Sequence, residues 1–224
     1  MRVLIVEDEV RLADNIADGL RDGPGYAVDV AYNGEDALHL CRTVGYDLLL
    51  LDLMIPKLNG EEVVRQLRGG RNATPILILT AMSETKKTIN LLDIGADDYM
   101  TKPFDLGELI ARSRALIRRG KGTGEPLLRY GNLSVHTGEQ TVRHGTTRVE
   151  LSPTEYRILE YLMFRPKAIV SKRELLEHLY DFTWEHHSNV IEAHISNLRK
   201  KLRMGTDLDM LETLRGRGYR LASQ

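Results

Sequence analysis

The sequence predicts an α/β protein: a doubly wound five-stranded parallel sheet followed by a smaller α+β domain. Three observations predict it. Short apolar runs, Val3-Leu4-Ile5-Val6, Leu48-Leu49-Leu50-Leu51 and Ile76-Leu77-Ile78-Leu79, alternate with helical patterns in the first half, as strands buried on both faces require. The run Gly120-Lys121-Gly122-Thr123-Gly124-Glu125-Pro126 predicts a flexible linker. Beyond it the apolar periodicity shortens and turn residues multiply, so a different fold follows.

In order, strands are expected near 2–6, 27–31, 47–52, 75–79 and 98–101. Helices are expected near 10–22, 34–44, 60–69, 84–94 and 105–119. Right-handed crossovers between five such βα units give a layered α/β domain over 1–119. Asp105 caps its last helix, where Leu106, Leu109, Ile110, Leu116 and Ile117 keep a helical period. After the linker at 120–126, the second domain spans 127–224. Its residues 127–151 read as short antiparallel strands broken at Tyr130-Gly131-Asn132, Thr137-Gly138-Glu139 and His144-Gly145-Thr146. Ser152, Pro153 and Glu155 then form a helix start with a capping box. Two further helices lie near 171–180 and 187–203. A hairpin turning at Arg215-Gly216-Arg217-Gly218 closes the chain.

The 224 residues suffice for two cores. Net charge is −1, but residues 1–120 hold 15 Lys/Arg against 19 Asp/Glu, and the remainder 16 against 13. That sign change fits an acidic cation site followed by a nucleic-acid binder. A single cysteine, Cys41, excludes an intrachain disulfide and a Cys-based zinc site. Its helical setting reads as a small packed hydrophobe rather than a redox sensor. No signal peptide and no apolar run near 18 residues is present, so a cytoplasmic protein without a membrane partner is expected.

The ends of the apolar runs carry the chemistry: Glu7-Asp8, Asp52, Thr80 and Lys102. Ligands of such sheets sit outside the carboxyl ends of the strands. An acidic residue there is ordinarily a loop or cap residue, but here Glu7-Asp8, Asp52, Thr80 and Lys102 each follow a strand of their own. Three carboxylates beside one Lys repel unless a cation joins them, and an all-oxygen set suits Mg2+. A Lys and a Thr opposite a cation-bound Asp are what a phosphoryl group on that Asp needs. Asp52 is the expected acceptor, because a carboxylate can attack a phosphoryl donor.

Val-Glu-Asp-Glu (6–9), Leu-Asp-Leu-Met-Ile-Pro-Lys-Leu-Asn-Gly (51–60), Leu-Thr-Ala (79–81) and Gly-Ala-Asp-Asp-Tyr-Met-Thr-Lys-Pro-Phe (95–104) resemble a two-component response-regulator receiver domain of flavodoxin-like fold. The second domain resembles the winged-helix effector of the OmpR/PhoB class. The resemblance implies strand order 2-1-3-4-5, phosphorylation of Asp52 by a sensor histidine kinase, and Mg2+ held by Glu7, Asp8, Asp52 and the backbone carbonyl of Met54. It implies a cis peptide before Pro103, with Lys102 pairing with the phosphate, and it makes Thr80 and Tyr99 a switch pair. It further implies a homodimer through Lys87, Asp97, Asp98, Glu108, Arg112 and Arg114. One departure is Thr88, where the family usually has a basic residue; Lys87 beside it points about 100° away on a helix.

Residues 188–203 form an amphipathic helix with Ile191, Ile195, Leu198 and Leu202 on one face. Asn189, His194, Ser196, Asn197, Arg199, Lys200 and Arg203 are expected to meet double-stranded DNA, together with Thr213, Arg215 and Arg217 of the wing. The family is more basic where this helix has Ser196 and Asn197. The resemblance also makes Trp184, in the loop 181–187, a candidate RNA polymerase contact. His186-His187 reads as loop, since no further ligand has metal spacing.

Two other classes share parts of this pattern. A hydrolase of the haloacid dehalogenase type needs an acid two positions after its nucleophile; here that position is Met54, and Met82 is equally inert. The expected function is therefore a phosphorylation-dependent transcriptional regulator rather than an enzyme. The alternative is a DNA-binding regulator whose receiver responds to protein contact instead.

Overall fold

Residues 1–81, 92–180, 189–203 and 209–222 are described by the structure, a computed structural model. The chain divides into two units, Arg2–Gly124 and Glu125–Gln224.

In the first unit, β1 (Arg2–Val6), β2 (Ala27–Ala31), β3 (Leu48–Asp52), β4 (Ile76–Thr80) and β5 (Asp98–Thr101) form a parallel sheet of order β2-β1-β3-β4-β5. The helices are α1 (Val10–Asp22), α2 (Gly34–Thr43), α3 (Gly60–Gly69) and α4 (Leu106–Gly120). The helix expected near 84–94 falls largely outside the described residues. α1 packs with α4, and α2 with α3, so the sheet is covered on both faces. That explains the unbroken apolar runs: Leu48, Leu49, Leu50 and Leu51 are all fully buried, each contributing about 1.5–3 kcal/mol. Local polar residues set the helix starts. Asn33, Asn59 and Asp105 accept a backbone N–H three positions on, each cap stabilising by about 1 kcal/mol. Cys41 packs half-buried against the core beneath α2 and α3, and burial pushes its thiol up to about 12.

The glycine-rich run after α4 begins as a helix cap. Lys121, Gly122 and Thr123 donate backbone N–H groups to Ile117, Arg119 and Arg118, with Gly122 at φ 81°. The Lys121 ammonium pairs with buried Asp47. A positive φ costs glycine nothing, so the same residue that reads as flexible in sequence here turns the chain off the helix.

The second unit opens with an antiparallel sheet, β6 (Leu127–Tyr130), β7 (Leu133–His136), β8 (Thr141–His144) and β9 (Thr147–Arg148). Helices α5 (Pro153–Met163), α6 (Lys172–Leu179) and α7 (Val190–Leu202) follow, then the hairpin β10 (Leu211–Leu214) and β11 (Gly218–Leu221). The capping box forms as the sequence predicts: Ser152 Oγ accepts from Glu155 N, and Glu155 Oε2 accepts from Ser152 N at 2.8 Å. Val170 and Tyr219 exchange backbone bonds of 2.8 Å each, tying β11 to the approach to α6. Gly218 makes this possible, because a Cβ there would lie 2.1 Å from Val170 O. Three helices closed by this hairpin constitute a winged helix. No helix among the described residues is long and apolar enough to cross a membrane.

Candidate functional site

Strand register assembles the acidic site. Val6 pairs with Leu51, Leu51 with Ile78, and Ile78 with Tyr99. One step further along, Glu7 and Asp52 leave neighbouring strands together. Thr80 ends β4 opposite Thr101, and Lys102 follows. Carboxylate oxygens of Glu7, Asp8 and Asp52 all lie within 4.8 Å of one another. Lys102 Nζ donates to Glu7 Oε2 at 2.6 Å and Asp52 Oδ2 at 2.5 Å, while its backbone N donates to Thr80 O at 2.7 Å. The Lys102–Pro103 peptide is cis. Thr80 and Glu7 are almost fully buried and Asp8 is exposed. Asp52 lies at the bottom of this opening, 6% exposed, with its Oδ1 accepting from Met54 N at 2.9 Å. Gly60 closes the floor: a Cβ there would come 2.5 Å from Asp52 O. Tyr99 is half-buried against the core. The Met54 side chain is 69% exposed.

Burial pushes the Glu7 carboxyl up, and its bond to Lys102 pulls it only partly back. For Lys102, burial opposes the ammonium, but the bonds to Asp52 and Glu7 outweigh it and raise the pKa. One ammonium thus balances one of three carboxylates. The surplus negative charge, carried on oxygen alone and open to solvent at Asp8, fits a hard divalent cation.

On the face formed by β5 and α4, Arg112 donates to Asp98 at 2.9 Å and pairs with Glu108 at 2.7 Å. Arg114 lies half-buried on the same helix. Asp97 is engaged elsewhere. Its Oδ2 accepts from Arg68 at 2.8 Å and from Ile76 N at 2.8 Å, which ties it to α3 and β4 of its own chain. Met82, Lys87 and Thr88 lie outside the described residues, as do Trp184, His186 and His187.

In the second unit, α7 buries Ile191, Ile195, Leu198 and Leu202. Asn189, Ser196, Asn197, Lys200 and Arg203 are exposed, and His194 is half-buried. Asn189 occupies the N-cap without a side-chain capping bond. Arg203 forks onto Asp209 at 3.0 and 2.5 Å. Arg199 turns toward β10 and bonds Leu211 O and Thr213 Oγ1. The wing tip, Arg215, Gly216 and Arg217, is exposed. Between it and the start of α6 lies a cavity of about 410 Å³ whose lining includes Lys172, Arg173, Glu192, Arg215 and Arg217. Lys172, Arg173 and Glu192 beside the wing, and Arg68 and Asp209 as partners of Asp97 and Arg203, carry no signal in the sequence. The Val170–Tyr219 bridge brings the start of α6 to the wing, and no local pattern announces it.

Residues 3–114 match the response regulator receiver domain family, and residues 145–221 match the C-terminal domain family of transcriptional regulatory proteins. The fold and the paired domains define a two-component transcriptional response regulator. The chain belongs to the OmpR/PhoB-type response regulators, a class of transcription factors and not of enzymes. It is 40% identical over 221 residues to the transcriptional regulatory protein TcrA of Mycobacterium tuberculosis, covering 99% of this chain and 87% of that relative. To the transcriptional regulatory protein DltR of Streptococcus agalactiae it is 40% identical over 222 residues, 99% of this chain and 98% of DltR. Among solved structures, the receiver domain of the Francisella response regulator 1452 is similar at 37% identity and a TM-score of 0.51, covering 53% of this chain and 97% of that one. A receiver domain implies a sensor kinase as partner, and the C-terminal domain implies DNA binding.

Proposed function

We propose that Asp52 is the phosphoacceptor of this regulator and that its phosphorylation by a sensor histidine kinase promotes dimerisation and promoter binding. The observation that carries this is Lys102 Nζ lying 2.5 Å from Asp52 Oδ2 and 2.6 Å from Glu7 Oε2, at the end of three strands. An Asp52 oxygen attacks phosphorus while the bond from phosphorus to the donor imidazole nitrogen breaks, its electron pair staying on that nitrogen. Positioning and charge neutralisation are most of what such a transfer asks of a protein. Lys102, already beside the acceptor, pairs with a phosphoryl oxygen. Thr80 donates its hydroxyl to another, and Tyr99 repacks beside it. Glu7, Asp8, Asp52 and the Met54 carbonyl hold Mg2+, which when bound offsets the negative charge gathered between the carboxylates and the phosphoryl group. A dianion on Asp52 gives the two states of the domain different contacts, as a population shift requires.

Asp98, Glu108, Arg112 and Arg114 form the dimer face. In the effector, α7 presents Asn189, Ser196, Asn197 and Lys200 to base edges and the neighbouring backbone, with Arg203 at its end. Arg215 and Arg217 approach phosphates or the minor groove. Two effectors lie head to tail, so the target is a direct repeat spaced by about 10–11 bp. The segment 181–187 with Trp184 meets RNA polymerase, and the protein works in the cytoplasm.

Incubation with radiolabelled acetyl phosphate and a magnesium salt tests the assignment. Asp52→Asn is expected to stay folded and take up no label. Undiminished labelling of that variant would overturn it. A footprint showing an inverted repeat would overturn the head-to-tail arrangement.

A further inference from the structure

The helical period places Arg199 on the polar side of α7, yet its guanidinium lies against the wing strand. Nε and Nη2 both donate to Leu211 O, at 3.1 and 2.9 Å, and Nη2 also donates to Thr213 Oγ1 at 2.7 Å. Asp209, just before β10, adds a carboxylate oxygen 3.4 Å from Nε and holds Arg203 as well. Only 24% of the Arg199 side chain is exposed.

Sheet geometry shows why this contact matters. The wing has two strands, and β11 is bridged on its far side to Val170, so among the described residues β10 is the edge strand. Met210 O accepts from Ala222 N, and Leu214 O from Arg217 N. By the alternation of an antiparallel pair, Leu211 and Thr213 then direct their backbone groups outward. Arg199 caps that outward edge. Its planar fork serves two acceptors two residues apart on one strand, which a single ammonium could not match.

We propose that Arg199 is a positioning residue: it locks the wing to the recognition helix at a fixed offset, so that Arg215 and Arg217 reach the DNA only while Arg199 holds β10. This rests on the reading that α7 and the wing engage one duplex together. Arg199 then contributes to affinity through the wing arginines and not through a phosphate of its own. Thr213 belongs to the same brace.

The test is a double-mutant cycle on the full chain, with mixed-sequence duplex DNA over a series of salt concentrations. Arg217→Ala alone is expected to weaken binding about tenfold and lower the salt slope by about one contact. In an Arg199→Ala background the same substitution is expected to cost less than about twofold, because the wing is already displaced. Lys200→Ala, on the exposed side of α7, should keep its full effect in that background. Arg199→Lys retains the charge but not the fork, and is expected to behave like Arg199→Ala. Thermal melting of each variant confirms that the helical core still folds; if Arg199→Ala does not, Arg199→Lys and Thr213→Val run the same cycle. Additive effects of Arg199→Ala and Arg217→Ala, with Arg199→Lys binding like the parent, would overturn the proposal in favour of a direct phosphate contact. A parent protein that binds no duplex at any salt would overturn the DNA reading and this proposal with it.

Discussion

Arg68, in the last turn of α3, donates to Asp97 at 2.8 Å, and the same guanidinium bonds the carbonyls of Gly95, Asn72 and Thr74. Asp97 in turn caps the first N–H of β4 at Ile76. An acid that the family pattern assigns to a contact between receivers is thereby held inside one receiver. The other charges on the described part of this face are Asp93, Asp98, Glu108, Arg112 and Arg114, and the Asp97 side chain itself stays 43% exposed.

Arg68→Ala should therefore destabilise the receiver by about 2–3 kcal/mol, since several acceptors lose their donor at once. Asp97→Asn should weaken folding more mildly and leave the dimerisation of phosphorylated protein unchanged. Urea denaturation and analytical ultracentrifugation read the two effects. A monomeric phosphorylated Asp97→Asn protein would return Asp97 to the interface.

Lys102→Met removes the ammonium from between Glu7 and Asp52 and leaves the buried Glu7 carboxylate without its cation. Without added metal the variant should lose about 1–3 kcal/mol of stability. Magnesium should then stabilise it more than it stabilises the parent, because the cation no longer shares the carboxylates with an ammonium. Equal magnesium-dependent stabilisation of both proteins would show that the ammonium and the metal do not compete.

Met54 stands at the mouth of the acceptor site, 69% exposed, and offers water no polar group to orient it. The acyl phosphate should accordingly be long-lived, and Met54→Asn or Met54→Glu should shorten its lifetime. Decay of the labelled protein measures this; an unchanged rate in both variants would exclude position 54 from its control.

Glu155 is buried, which pushes its carboxyl up, but the bonds to Lys201 and to Ser152 of the capping box outweigh burial, and its pKa is lowered below 4.5. A folded value below the unfolded one means stability that is complete above about pH 4.5 and is lost as pH falls through the lower folded value. Glu155→Gln should cost about 1 kcal/mol at neutral pH, and the gap to the parent should narrow under acid conditions. Guanidinium titrations at both pH values measure it. A gap that widens in acid would contradict the direction of the shift.

Local chemistry sufficed for much of this molecule. Asn33, Asn59, Asp105 and Ser152 cap helices through partners three residues away, and the apolar runs become buried strands because nothing in them tolerates water. Glu7, Asp52, Thr80 and Lys102 were legible as a group for the same reason, since a parallel sheet delivers every strand end to one edge. What the sequence left open lay at the borders of its own patterns. A 3.6-residue period separates the buried Ile195 and Leu198 from exposed Asn197 and Lys200, but Arg199 sits between those faces. Its partner was decided by a hairpin that folds back only through Gly218 and Val170. Asp97 likewise met Arg68 only because β4 and β5 lie side by side. Periodicity records how a residue is turned about its own axis; which distant backbone meets it there is a property of the assembled chain.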